Sequence, residues 1–219
     1  MYDATPFLPQ RGGLPGLRKA AADCRGCPLY ENATQTVFGA GTGHARLFLL
    51  GEQPGDQEDL RGEPFVGPAG RLLRRALEEA GLGDEQPYVT NAVKHFKFTR
   101  SGPGKRRIHK APSLREMTAC RPWLLAELHL VSPDVLVLLG STAGKALFGS
   151  SFRVGEHRGV LRPMPDLNGG APGVGGAADA PRGRLLATVH PSSVLRSGDR
   201  ETAFRGLVAD LAVAAGALG

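Results

Sequence analysis

Four short apolar runs stand out along the chain: Arg46-Leu47-Phe48-Leu49-Leu50, Tyr88-Val89-Thr90, Asp134-Val135-Leu136-Val137-Leu138-Leu139 and Leu185-Leu186-Ala187-Thr188-Val189. Each is continuous rather than alternating, the pattern of strands buried on both faces. Between them the apolar spacing turns helical. Arg71 to Ala80 places Leu72, Leu73, Ala76, Leu77 and Ala80 on one face, with Gly81 as the stop. Ser113 to Leu130 reads the same way, Ser113 serving as N-cap with Glu116 at capping-box spacing. Thr142 to Phe148 and Glu201 to Val213 complete the set. Strands alternating with helices predict an α/β sandwich around a mostly parallel sheet. Residues 1–19 read as a loosely packed arm leading to Cys24, and the Gly-, Ala- and Pro-rich stretch 163–184 as a flexible loop.

The exits of those strands carry the chemistry. The first runs into Gly51-Glu52-Gln53-Pro54-Gly55-Asp56, the second into Asn91-Ala92-Val93-Lys94-His95, and the last into His190-Pro191-Ser192-Ser193. Ligands of parallel α/β folds bind at the carboxyl ends of the strands, so three polar exits define one candidate site.

Composition narrows the class. With 219 residues, a single domain over 1–219 is the simplest organisation. A hydrophobic share of 41% excludes wholesale disorder. No apolar run approaches the roughly 18 residues that suggest a membrane span, and the N-terminus lacks the basic-then-apolar plan of a signal peptide. Three cysteines, an odd count without an export signal, argue against a disulfide framework and for the cytosol. The net charge of +6 is local: Lys94, Lys97, Arg100, Lys105, Arg106, Arg107 and Lys110 fall in one stretch without an acidic residue, and elsewhere the charges nearly cancel. Such a stripe suits a polyanion such as nucleic acid, or is simply a solvated loop.

Two glycine-rich segments fail as phosphate sites. Gly140-Ser141-Thr142-Ala143-Gly144-Lys145 has three residues between its glycines where a phosphate loop needs four, and Ala146 follows the lysine. Gly39-Ala40-Gly41-Thr42-Gly43 precedes a strand where a dinucleotide fingerprint would follow one. Cys24-Arg25-Gly26-Cys27 is more informative, because two thiolates at this spacing can chelate one centre. Cys120 offers a third ligand and His95 could supply an imidazole. Zinc and an iron–sulfur cluster both fit that inventory, and three ordinary buried thiols are the plainer alternative. His109, in the basic segment Lys105-Arg106-Arg107-Ile108-His109, is either a surface phosphate contact or an active-site histidine held by a charged loop.

Taken together, Gly51 to Asp56, Pro64-Phe65-Val66-Gly67-Pro68-Ala69-Gly70, Thr90 to Lys94 and His190 to Arg196 resemble the motifs of the family-four, iron–sulfur-containing uracil-DNA glycosylases. The resemblance covers roughly Cys24 to Val213. It implies a three-layer α/β/α uracil-DNA glycosylase-like fold and a [4Fe-4S] cluster. The family usually has Cys where His95 stands and Ala where Gln53 stands, and the Lys105–His109 loop is extra. These departures resemble the X-type uracil-DNA glycosylases, in which such a loop supplies a histidine that becomes covalently attached to DNA. That subgroup implies Cys24, Cys27, His95 and Cys120 as cluster ligands.

The resemblance further implies roles for the exit residues. Phe65 would stack on a flipped uracil, Asn91 would present an amide to its edge, and His190 would donate to the oxygen where negative charge accumulates. Ser192 to Arg196 would touch phosphates and push Leu195 or Arg196 into the vacated stack. Glu52 and Asp56 would be the carboxylates near the sugar, Gln53 would mark the subgroup, and Arg107 would orient the loop against phosphate. His109 would attack the anomeric carbon in place of water. The expected partner is uracil-containing DNA, taken as single-stranded, bound by a monomer without a membrane or protein partner. A multiple-turnover glycosylase is the alternative, and a non-catalytic metal-stabilised nucleic-acid-binding module the more distant one.

Overall fold

The computed structural model describes residues 2–100, 102, 106–164 and 183–219. Its centre is a five-stranded sheet in the order β2-β1-β5-β7-β6, formed by β1 (Leu47–Gly51), β2 (Tyr88–Asn91), β5 (Val135–Leu139), β6 (Arg162–Pro163) and β7 (Arg184–Thr188). The first four strands in that order are parallel, and β6 runs antiparallel at the edge. The four apolar runs are thus four of the five strands, each within a residue of its expected bounds. Their continuity has a simple cause. Phe48, Leu50, Leu136 and Leu138 pack into one core, while Leu47, Leu49, Val135, Val137 and Leu139 pack into a second. Alternate side chains enter opposite cores, so no position of β1 or β5 can be polar.

Helices cover both faces. On one side lie α1 (Gly13–Ala21), α4 (Leu114–Val131) and α5 (Ser141–Phe148); on the other lie α3 (Pro68–Glu79) and α8 (Arg200–Leu218). This is the α/β/α sandwich. Ser113 caps α4 with Glu116 closing the capping box, and Pro68 in the first turn starts α3 three residues ahead of the expected Arg71. Among the described residues no helix is long and apolar enough to cross a membrane.

Two expectations need correction. Residues 2–19 are not a loose arm. They form a 3₁₀ turn (Thr5–Phe7) and most of α1, with Ala4 buried and its N–H bonded to Ala119 O at 3.0 Å. Leu17 and Ala21 supply the apolar anchor. The basic loop around His109 is in part a strand: β4 (Arg107–His109) pairs antiparallel with β3 (Phe98–Arg100), an arrangement hidden by the density of charge. The stretch 163–184 lies mostly outside the described residues, and its two ends belong to β6 and β7. Three short helices complete the chain: α2 (Asp56–Arg61), α6 (Val154–His157) and α7 (Pro191–Leu195).

Candidate active site

Parallel registry brings the exits together. Gly51 is the register partner of Asn91, and Leu139 that of Thr188, so Glu52, Asn91, Gly140 and His190 all emerge from one edge of the sheet. Gly51 lets two side chains close in over it. A Cβ at this position would lie 2.6 Å from Phe65 Cζ and nearer still to Asn91 Oδ1. Phe65 holds a left-handed backbone (φ 56°), costly for a bulky residue, and is 8% exposed with its ring 6.1 Å from that of His190. Phe65 therefore lies against both Asn91 and His190, which leave the sheet at the same edge.

His190 caps α7. The backbone N–H of Ser192 donates to its Nδ1 at 3.1 Å, with the Ser192 hydroxyl 2.8 Å from the same nitrogen. An N–H can only donate, so in the neutral ring the proton sits on Nε2. Burial, then the positive charges of Arg196 and His109, hold this imidazole down to about 4. The ring is thus a neutral hydrogen-bond donor at physiological pH. Ser192 turns its hydroxyl to His190 instead of outward to phosphate. Leu195 is half-buried at the end of α7, and Arg196 is exposed beside it.

The hairpin delivers His109 to the same edge. Gln53, 7% exposed, accepts from Lys97 N at 3.0 Å and donates from Nε2 to Lys110 O at 2.9 Å, with Lys97 O at 3.2 Å. The same Nε2 stands 2.8 Å from His109 Nε2, and Glu52 Oε1 lies 3.3 Å from it on another side. One ring nitrogen therefore sits between an amide nitrogen and a carboxylate oxygen. Glu52 is held in turn by Thr142, whose Oγ1 donates to its second oxygen at 2.5 Å.

Arg107 departs from expectation. Its Nε donates to Asp56 Oδ1 at 2.5 Å and its Nη1 to Asp59 Oδ2, with Thr34 Oγ1 at 3.3 Å and the Phe96 and Phe98 rings beneath. The guanidinium ties β4 to α2 and is not free for a phosphate. Asp56 is likewise committed to Arg107. Sequence reasoning missed Asp59, which is fully buried and also accepts from Thr34 N. Its only signal is its place in the acidic first turn of α2.

The basic stripe shrinks for the same reason. Lys94 is buried and ion-paired to Glu127, whose other oxygen accepts from Tyr88, Thr90 and the Gly39 backbone; Lys94 also donates to Asn91 O at 2.9 Å. Lys97 pairs with Glu116 at 2.8 Å. Arg100, Arg106 and Lys110 stay exposed.

The suspected metal ligands include one bonded to the Lys94 backbone, Cys120. Cys24, Cys27 and Cys120 are all buried and free. Trp123 Nε1 donates to Cys24 Sγ at 3.2 Å and Lys94 N to Cys120 Sγ at 3.3 Å. Burial pushes the Cys120 thiol up to about 12, and the Cys27 thiol is raised for the same reason. His95 Nε2 bonds Thr36 Oγ1 at 2.9 Å, leaving Nδ1 as its available nitrogen, and burial lowers this ring to about 4. Among the described residues no three His, Cys, Asp or Glu donors close on a common point. The donor chemistry nonetheless fits a thiolate-bound centre: N–H groups aimed at sulfur stabilise thiolates, and a neutral imidazole can coordinate.

Relatives agree with the geometry. The profile described as the uracil DNA glycosylase superfamily matches residues 38–212. The type-4 uracil-DNA glycosylase of Thermotoga maritima is 35% identical over 179 residues, 81% of each chain. That of Pyrobaculum aerophilum is 32% identical over 183 residues, covering 84% of this chain and 85% of its own. That of Archaeoglobus fulgidus is 38% identical over 135 residues, 62% of this chain and 63% of its own. A site in which Phe65 meets both Asn91 over Gly51 and the ring of His190 thus comes with matching sequence along most of the chain, which belongs to the uracil-DNA glycosylase superfamily and, within it, to the type-4 family.

Proposed function

We propose that this protein excises uracil from DNA and that His109 then stays bonded to the sugar it leaves behind. The observation that carries the reading is the setting of His109 Nε2, 2.8 Å from the Gln53 amide and 3.3 Å from Glu52, at the edge where Phe65, Asn91 and His190 meet. A flipped uracil would stack on Phe65 and meet the Asn91 amide, which offers both a donor and an acceptor. The C1′–N1 bond breaks with its electron pair going to uracil, and the His190 Nε2–H stabilises the resulting anion. Glu52 Oε1, which faces His109 Nε2, holds the ring through the Nε2 proton and takes that proton as the nitrogen's electron pair forms the new bond to C1′. The alkylated ring is left neutral; Glu52 passes its proton to solvent and the uracil anion takes one from solvent, which balances the step. The carboxylate also offsets charge on the sugar. Among the described residues no group at the edge is set to hydrolyse the new C–N bond, so one turnover is expected.

Cys24, Cys27, His95 and Cys120 are proposed to hold a [4Fe-4S] cluster. Bound, it would cross-link the N-terminal segment to the strand exit and to α4, a structural contribution. Iron and sulfide content of the purified protein, lost together with the melting transition in Cys27→Ala, tests that assignment. A folded, metal-free protein with full activity overturns it.

The functional test is a labelled uracil-containing single-stranded oligonucleotide mixed with the protein, boiled in detergent and run on a denaturing gel. A retarded protein–DNA band that disappears in His109→Ser, with free abasic DNA in its place, is the expected result. Alkali-labile abasic DNA from the wild type without a retarded band would make this a conventional multiple-turnover glycosylase. Intact DNA that is bound but not cut would leave only a binding module.

A further inference from the structure

Glu52 is held at one oxygen and faces His109 with the other. Oε1 faces His109 Nε2 at 3.3 Å, and Oε2 accepts from the Thr142 hydroxyl at 2.5 Å, within the range of hydroxyl–carboxylate bonds. The terminal torsion of a glutamate is broad, so a carboxylate held at one end only would exchange its oxygens and drift. Thr142 lies in the first turn of α5 on a rigid mount. Gly140 (φ 89°) turns the chain out of β5, its N–H bonds Thr188 O at 2.8 Å, and a Cβ on it would lie 2.9 Å from His190 Cβ. The start of α5 is therefore fixed against β7 and against the histidine at the uracil end of the site.

We propose that Thr142 is a positioning residue: its hydroxyl commits one Glu52 oxygen to α5 and so presents the other to His109. The inference rests on the reading that Glu52 orients His109, and it assigns a task to a segment whose sequence only imitates a phosphate loop. A half-held carboxylate would orient the imidazole less often, so water would reach the sugar more often.

The variant is Thr142→Val, which deletes the hydroxyl while keeping the β-branched shape in the helix; Thr142→Ser restores the hydroxyl on a smaller side chain. Both are compared with the wild type by melting temperature, by the single-turnover rate of adduct formation, and by the division of product between adduct and free abasic DNA. The expected result is a roughly ten-fold or greater loss of adduct rate in Thr142→Val, with a larger share of free abasic DNA, an unshifted melting temperature and near-complete rescue in Thr142→Ser. Wild-type rate and product division in Thr142→Val, or equal loss in Thr142→Ser, overturns the proposal. If the wild type itself forms no adduct, the covalent reading fails separately, and the rate of uracil release in the two variants then decides the role of Thr142 by the same comparison.

Discussion

Gly51→Ala separates the demands of the site from those of the fold. The backbone of Gly51 is not left-handed, so alanine changes nothing there except the added methyl. That methyl would sit 2.6 Å from Phe65 Cζ and 3.0 Å from Phe65 Cε2, with Asn91 Oδ1 also inside contact distance. Comfortable carbon contacts begin near 3.5 Å, so the ring edge must retreat by roughly 1 Å. Both obstacles are the far ends of side chains and can move without unravelling the strand. An overpacked core position typically costs about 1–3 kcal/mol, which for a chain of this size lowers Tm by roughly 2–12 °C. The cost to function is of another order. Phe65 and Asn91 are the groups proposed to hold the uracil, and a displacement of about 1 Å in such groups lowers rates roughly 100-fold. Single-turnover uracil release with protein in excess, measured beside a thermal melt, should show a folded protein with a rate at least 100-fold lower. A melt within the expected range together with a rate within about three-fold of wild type would refute the convergence of Phe65 and Asn91 on this point.

Three further outcomes follow from the buried charges. Arg107→Ala strips Asp59 of its cation inside the fold and should cost about 3 kcal/mol in chemical denaturation, with adduct formation falling more than uracil release; Asp59→Asn in the same chain should return part of the stability, and no recovery would refute the pairing. Lys94→Met leaves Glu127 buried without its partner and should cost about 3–5 kcal/mol, partly recovered by Glu127→Gln, which keeps acceptors for Tyr88 and Thr90; a single-variant loss below about 1 kcal/mol would count against it. The His190 ring should titrate near 4 by NMR, with its neutral form protonated on Nε2. Because the folded ring releases its proton more readily than the unfolded one (about 6.5), the His190 contribution to stability is complete above pH ~6.5 and fades as pH falls towards 4. A midpoint above about 7 would remove the neutral-donor role.

The strands were legible because burial on both faces leaves no polar position in β1 or β5. Ser113 and Glu116 announced the start of α4 through a purely local signal. The β3–β4 hairpin was not legible: strand pairing depends on a partner seven to eleven residues away, while the eye meets charge, glycine and proline. Counting charges also misled. Lys94, Lys97 and Arg107 look like one face turned to a polyanion, but each is neutralised by an acid far along the chain or on another element, Glu127, Glu116 and the Asp56–Asp59 pair. The exits Glu52, Asn91 and His190 were found through topology, whereas Thr142 and Asp59 were missed because their partners are set only by tertiary packing.

The base of the hairpin has a consequence for how such enzymes can diverge. Lys110 N donates to Lys97 O at 3.0 Å, and Gln53 bridges the same two residues. The chain therefore leaves and re-enters the scaffold at nearly one point, so the spacing of β2 and α4 does not depend on what lies between. A lineage can acquire or shed the segment from Phe98 to His109 in one insertion or deletion without repacking either apolar core, provided Asp59, the buried partner of Arg107, changes with it. On the proposed reading, the choice between water and a protein side chain as the group that meets the sugar is then a modular trait, separable from the residues proposed to hold uracil.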